Sequence, residues 1–216
     1  VTIRAGKVIV DTNILMNALD FRKCNVYDWI DEVYEEIFVH IEVVNEFRIE
    51  TEQKAIIAEI KKRGWNLFDH NDQTCLPNNQ KTLYWKYVNN ASEGFENLKT
   101  KKEAQKRIPK TSSNLGEIHS LALAQLISAN IINSNDYEIR EVIEDEKILV
   151  YSTDIERDIF IEQDTVEDFC TYCVQGRIAK PSDVIKFFRV CHANDDKEKL
   201  SDKLASLKQR LVEHIK

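Results

Sequence analysis

Residues 7–19 read KVIVDTNILMNAL. Three β-branched residues, Val8, Ile9 and Val10, stop abruptly at an acid, a hydroxyl and an amide, and a helical pattern starts at once. An unbroken apolar run of this length reads as a strand buried on both faces, with Lys7 at its start. Such strands belong to parallel sheets covered by helices on either side. A carboxylate at the tip of a buried strand has two readings. Asp11 forms an Asx-turn or N-cap where strand gives way to helix, or it belongs to a ligand site at the carboxyl edge of the sheet.

Working outward, IFVHI (37–41) reads as a second strand, WNLFDH (65–70) as a weaker third, and KILVYSTD (147–154) as a fourth that again ends in an acid. Helical patterns fill the intervals: ILMNALD (14–20), VYDWIDEVYEE (26–36), and EVVNEFRIETEQKAIIAEIKKRG (42–64), where Gly64 suits a C-cap. Residues 78–107 are largely helical up to a break at Pro109, and NLGEIHSLALAQLISANI (114–131) is strongly amphipathic. Strands alternating with helices predict an α/β fold with a parallel sheet and helices on both faces. Parallel strands would carry Asp11 and Asp154 to the same edge.

Composition sets the bounds. With 216 residues, 43% hydrophobic and 31% charged, the chain is long enough to bury a core. No run of 18 apolar residues exists, so no membrane span is expected. The first residues, VTIRAGKVIVDT, lack a secretory apolar region, and five cysteines argue against a disulfide framework. A reduced, cytoplasmic protein is expected. The net charge of −7 is unevenly spread: residues 136–168 hold 13 acids against three bases, which leaves the remainder net positive. Local contact with nucleic acid is therefore compatible with an acidic total.

Two further acids have suggestive places. Glu46 follows the second strand by five residues, and Glu117 lies in the first turn of the 114–131 helix. Each has a plainer reading: Glu46 as a solvated helix residue, Asn114 and Glu117 as a capping box, Asp154 as a helix cap. Four carboxylates gathered at one edge would repel one another unless a cation joined them. An oxygen-only donor set suits Mg²⁺ or Mn²⁺, the ions used to activate water in phosphodiester hydrolysis.

VIVDTNILMNAL, EVVNEF, GEIHSLALA and VYSTD resemble, in order, the acidic motifs of the PIN-domain family of metal-dependent nucleases, over roughly residues 7–165. The resemblance implies a three-layer α/β/α sandwich and Mg²⁺- or Mn²⁺-dependent cleavage of RNA. Carried over position by position, it implies Asp11, Glu46, Glu117 and Asp154 as catalytic and metal-holding acids. Asn13 matches the Asn that orients the first Asp, and Ser152 the small hydroxyl two residues before the last. The chain departs from the pattern with Glu117 where many members have Asp, with an acidic insert over 133–147, and with about fifty added residues. Toxin members of toxin–antitoxin pairs are shorter. Asp158 is a loosely spaced fifth acid, or part of a solvated face.

KTKKEAQKRIPK (99–110), with six bases and one acid, either contacts phosphates through Lys101, Lys102, Lys106 and Arg107 or is a solvated helix end. YWKYVNN (84–90) stacks on bases or packs in the core. Cys170, Cys173, Cys191 and His192 suit zinc poorly, because Cys191 and His192 are adjacent, and the cysteines three apart read as buried helix residues. The tail aligns Leu200, Leu204, Leu207, Leu211 and Ile215 on one helical seam, which must cover its own domain, a second copy in a homodimer, or a regulatory partner. The expectation is a PIN-like nuclease domain over 1–168 with a helical extension over 169–216, acting as an endoribonuclease on single-stranded RNA. The alternatives are a DNA or structure-specific nuclease, or a silent PIN-like module that binds RNA or protein. An antitoxin is a possible partner.

Overall fold

The computed structural model describes residues 4–107 and 114–214. In chain order its elements are β1 (Arg4–Val10), α1 (Thr12–Asp20), α2 (Val26–Val33), β2 (Tyr34–His40), α3 (Ile41–Asn45), α4 (Glu50–Arg63), β3 (Asn66–Phe68), α5 (Asn78–Ala104), α6 (Leu115–Ile127), β4 (Ile131–Asn133), α7 (Tyr137–Asp145), β5 (Leu149–Ser152), β6 (Arg157–Phe160), β7 (Glu162–Asp164), α8 (Val166–Gln175), α9 (Pro181–Cys191) and α10 (Lys197–His214). Five strands pair in parallel in the order β3-β2-β1-β4-β7. The fold is α/β, as the alternation predicts.

β1 is central because its apolar run serves both faces. Val8 and Val10 enter one apolar cluster with Leu15, Ile30, Ile56 and Phe169, while Ile9 enters the opposite one with Tyr84, Leu121 and Ile132. Side chains alternating across a strand make this division automatic. Helices cover both faces. From β1 the chain builds outward to β2 and β3, then returns to place β4 on β1's other side. The order reverses between β1 and β4, where a crevice for ligands is expected at the carboxyl ends.

Three predicted elements are corrected. The helix expected over 26–36 ends at Val33, and Tyr34 to His40 extend as β2 beside β1. The helix expected over 42–64 is two helices, because Phe47 turns into the core and its carbonyl accepts from Gln53 Nε2 at 2.7 Å. Gly64 does cap the second, with φ of +71° and its amide bonded to the carbonyls of Ile60 and Lys61. The larger correction concerns the fourth strand. KILVYSTD is not in the parallel sheet: β5 pairs antiparallel with β6 in a separate two-stranded hairpin. Its residues alternate between exposed and buried, the mark of a ribbon with one wet face. The sheet's fourth strand is Ile131–Asn133, within the predicted helix end and the supposed insert; it is three residues long and buried on both faces. The break at Pro109 lies outside the described residues.

The C-terminal helices share the apolar cluster of α1, α2 and α4. Leu204, Leu207 and Leu211 are buried against it and Leu200 is half-buried, so the tail packs on its own chain; Ile215 lies outside the described residues. Cys170 and Cys173 are buried in the same cluster, and burial pushes both thiols up. α8 opens with a capping box between Thr165 and Asp168, and Arg210 of α10 donates to the Asp168 carboxylate at 2.8 Å. No helix among the described residues is long and apolar enough to cross a membrane.

Candidate functional site

Asp11 follows β1 in extended conformation and stands at the N-cap position of α1, yet its carboxylate does not cap the helix. Its amide donates to the carbonyl of Asn133 at 3.1 Å, tying the ends of β1 and β4 together. Ser134, one residue past β4, donates its hydroxyl to Asp11 Oδ2 at 2.7 Å. Asp11 is 2% exposed. Burial pushes its carboxyl up to about 6, and the neighbouring charges of Glu46 and Asp136 push the same way, against the Ser134 hydroxyl and the Thr12 amide.

Glu46 stands where α3 ends. Thr12 Oγ1 donates to its Oε2 at 2.6 Å and the Gly116 amide to its Oε1 at 3.1 Å. Residue 116 must be glycine for this approach: a Cβ there would lie 2.5 Å from Glu46 Oε1. The adjacent Glu117, in the first turn of α6, is buried. Asn114 makes no side-chain cap, so the capping-box reading of Asn114 and Glu117 fails. Asp136 follows β4 by three residues; its amide donates to Ser134 Oγ and its Oδ1 accepts from the Glu138 amide at the start of α7. Among the described residues no ion pair reaches Asp11 or Glu46.

Asp154 and Ser152 are not brought to this edge. Asp154 lies in the β5–β6 turn and is exposed, and both residues line a cleft with Ala5, Gly6, Lys7 and Asn130. Those residues flank the start of β1, and Lys7 is four residues from Asp11, about 13 Å along a strand. The reason is the misplaced strand: an antiparallel hairpin outside the sheet cannot deliver its tip to the parallel edge. The positions expected for Ser152 and Asp154 are filled by Ser134 and Asp136. The signal was present, because NSND repeats the Ser-x-Asp spacing of YSTD. The longer apolar run before YSTD outweighed the three-residue strand. Asp158 is exposed on β6. Asn13 Nδ2 approaches Asp11 Oδ2 at 3.5 Å, at the outer limit of a hydrogen bond.

Three bases of the stretch are paired with the acidic segment that follows, and Lys110 lies outside the described residues. Lys101 pairs with Asp145 at 2.6 Å, and Lys102 with Glu138 at 2.9 Å and Glu141 at 3.1 Å. Arg107 also pairs with Glu141, at 3.1 Å. Lys106 is exposed in the turn after α5. These cations join α5 to α7 instead of lying free for phosphates. In YWKYVNN, Tyr84 and Val88 are core residues and Trp85 is exposed.

No family model, curated protein or solved structure matches the chain.

Proposed function

We propose that the chain is a metal-dependent phosphodiesterase of the PIN type that cleaves single-stranded RNA. The observation that carries this reading is the state of Asp11: a buried carboxylate at the β1/β4 switch point, pushed up by burial and by Glu46 and Asp136, with no cationic side chain of the described residues against it. A fold that maintains such a charge needs a countercharge from elsewhere. The donors are all carboxylate oxygens, which fits a hard divalent ion, Mg²⁺ or Mn²⁺. Asp11, Glu46, Glu117 and Asp136 would hold it, in part through water, because among the described residues no three of these carboxylates lie within 4.8 Å of one another. When bound, such an ion polarises a phosphodiester and makes water a competent nucleophile near neutral pH.

The chain's own residues orient the donors. Ser134 fixes one oxygen of Asp11, and Thr12 with the Gly116 amide fixes both oxygens of Glu46. RNA as the substrate rests on the family resemblance of the motifs; DNA or a structured nucleic acid is the second reading. The test is cleavage of a single-stranded RNA in Mn²⁺. Because losing a residue that merely orients a ligand costs about 10–100-fold, Asp11→Asn and Asp136→Asn should each lose about 100-fold or more. Asp154→Asn should cleave like the parent. Loss with Asp154→Asn and retention with Asp136→Asn would reverse the assignment.

A further inference from the structure

Three of the chain's five histidines meet at one place, although the sequence scatters them. His40 ends β2, His70 follows β3 by two residues, and His119 lies in α6. One nitrogen from each ring lies within 4.8 Å of the others. All three stand toward the carboxyl side of the sheet. The β1–β2 register pairs Ile9 with Phe38, so two residues further on His40 stands beside Asp11 on the neighbouring strand.

Hydrogen bonds fix the protons on two of these rings. The Glu42 amide donates to His40 Nδ1 at 3.0 Å, so the His40 proton is on Nε2. His40 Nε2 therefore donates to Tyr84 Oη at 2.8 Å, and the Tyr84 hydroxyl donates to His119 Nδ1 at 2.5 Å. Burial keeps His40 neutral at ordinary pH, and His119 and His70 act in the same direction. His70 is different. Its Nδ1 is buried and makes no hydrogen bond among the described residues, and the Glu42 carboxylate stands 3.9 Å away. A buried ring nitrogen without a partner marks a missing ligand.

We propose that His40, His70 and His119, with Glu42 as the facing carboxylate, form a binding site for Zn²⁺. Imidazole donors select a borderline transition ion over Mg²⁺, so this site differs in kind from the all-oxygen set around Asp11. Tetrahedral zinc with bonds of about 2.0–2.1 Å needs donor nitrogens about 3.3 Å apart. The rings must therefore close by roughly 1.5 Å on loading. His70, on the segment between β3 and α5, supplies the movable donor. His119 offers Nδ1 to the ion in place of the Tyr84 hydroxyl without a change of tautomer, whereas His40 joins only by releasing the Glu42 amide, so that its Nδ1 either binds the ion or takes the proton that leaves Nε2. Loaded, the site ties the end of β2, the segment after β3, and α6 together.

The test is calorimetric titration of the full chain, cleared of metal by a chelator, with ZnCl₂ alone. The proposal expects one saturable equivalent in the parent and in Asp11→Asn, and affinity lower by at least about tenfold in His70→Gln and His119→Gln. A rise in thermal midpoint with Zn²⁺ should follow the same pattern, since an ion that binds only the folded state stabilises it. His70→Gln is partly exposed and keeps a polar planar group, so its metal-free melting curve reports whether the variant folds; if it does not, Glu42→Gln takes its place. Absence of saturable binding in the parent overturns the proposal. So does binding undiminished in His70→Gln, or binding lost in Asp11→Asn, which would assign the ion to the carboxylates.

Discussion

Asp11 carries a cost that the Ser134 hydroxyl and the Thr12 amide relieve only in part. Its carboxyl sits at about 6 in the fold, against about 3.9 in an unfolded chain. A raised value means that folding takes up a proton. Ionised Asp11 destabilises the metal-free protein above pH 6, and the penalty fades as the pH falls from about 6 towards 4. Asp11→Asn should therefore raise the unfolding free energy of metal-free protein at pH 8 by about 1–3 kcal/mol, with a gain near zero at pH 4. Urea unfolding at the two pH values measures it, and an equal gain at both would mean that the carboxylate is not strained by its surroundings. Gly116→Ala makes a complementary case. The added methyl displaces Glu46 while improving helix propensity by up to about 1 kcal/mol, so cleavage should fall tenfold or more with stability hardly changed. At this scale the places of Asp11, Glu46 and Glu117 in the fold are legible, because each follows or opens a strongly patterned element. Asp136 was hidden because its strand is only three residues long. The histidines were hidden because nothing in a sequence signals convergence of residues 40, 70 and 119.

Elements show where periodicity misleads. β4 and β5 carry similar apolar residues, and length favoured the wrong one. Their distinction is one of faces: Ile131 and Ile132 enter opposite apolar clusters, whereas β5 exposes Leu149 and Tyr151. The alternation over LVYS lies in burial and not in residue type, so the sequence alone does not mark this run as a ribbon. The helices α5 and α7 show a similar reassignment of charge. Six bases in twelve residues suggest phosphates, but an acidic stretch 34 to 44 residues on supplies partners for three of them, Lys101, Lys102 and Arg107. Lys102 is the centre of this contact, its side chain only 7% exposed between Glu138 and Glu141. Lys102→Ala should lower the unfolding free energy by about 1–3 kcal/mol, because two partly buried acceptors lose a donor. Affinity for single-stranded RNA and its salt slope should change little. A steep loss of affinity with unchanged stability would restore the phosphate-binding reading for this stretch.

For the whole molecule, the seam of leucines in α10 closes one face of the fold. Leu204, Leu207 and Leu211 are buried against the same cluster as α1 and α2, and Arg210 reaches the capping box of α8. A chain ending at residue 194 should keep the oligomeric state of the full chain by light scattering and melt at a lower temperature. An unchanged midpoint would mean that the helix contributes nothing to the core. The general plan, a parallel sheet between helices, was readable from alternation alone; which strands neighbour which was not, because three-residue strands carry too little pattern. That sheet order has a consequence for how the protein comes into being. Val10 pairs with Asn133, so the central seam closes a loop of more than a hundred residues. Local contacts form early and distant ones late, and long-range parallel pairing is slow. A nascent chain that has emerged only as far as α6 already contains Asp11, Glu46 and Glu117 but neither Ser134 nor Asp136. Assembly of the carboxylate cluster therefore waits for synthesis to pass β4, and until then the chain holds its acids without the strand that gathers them.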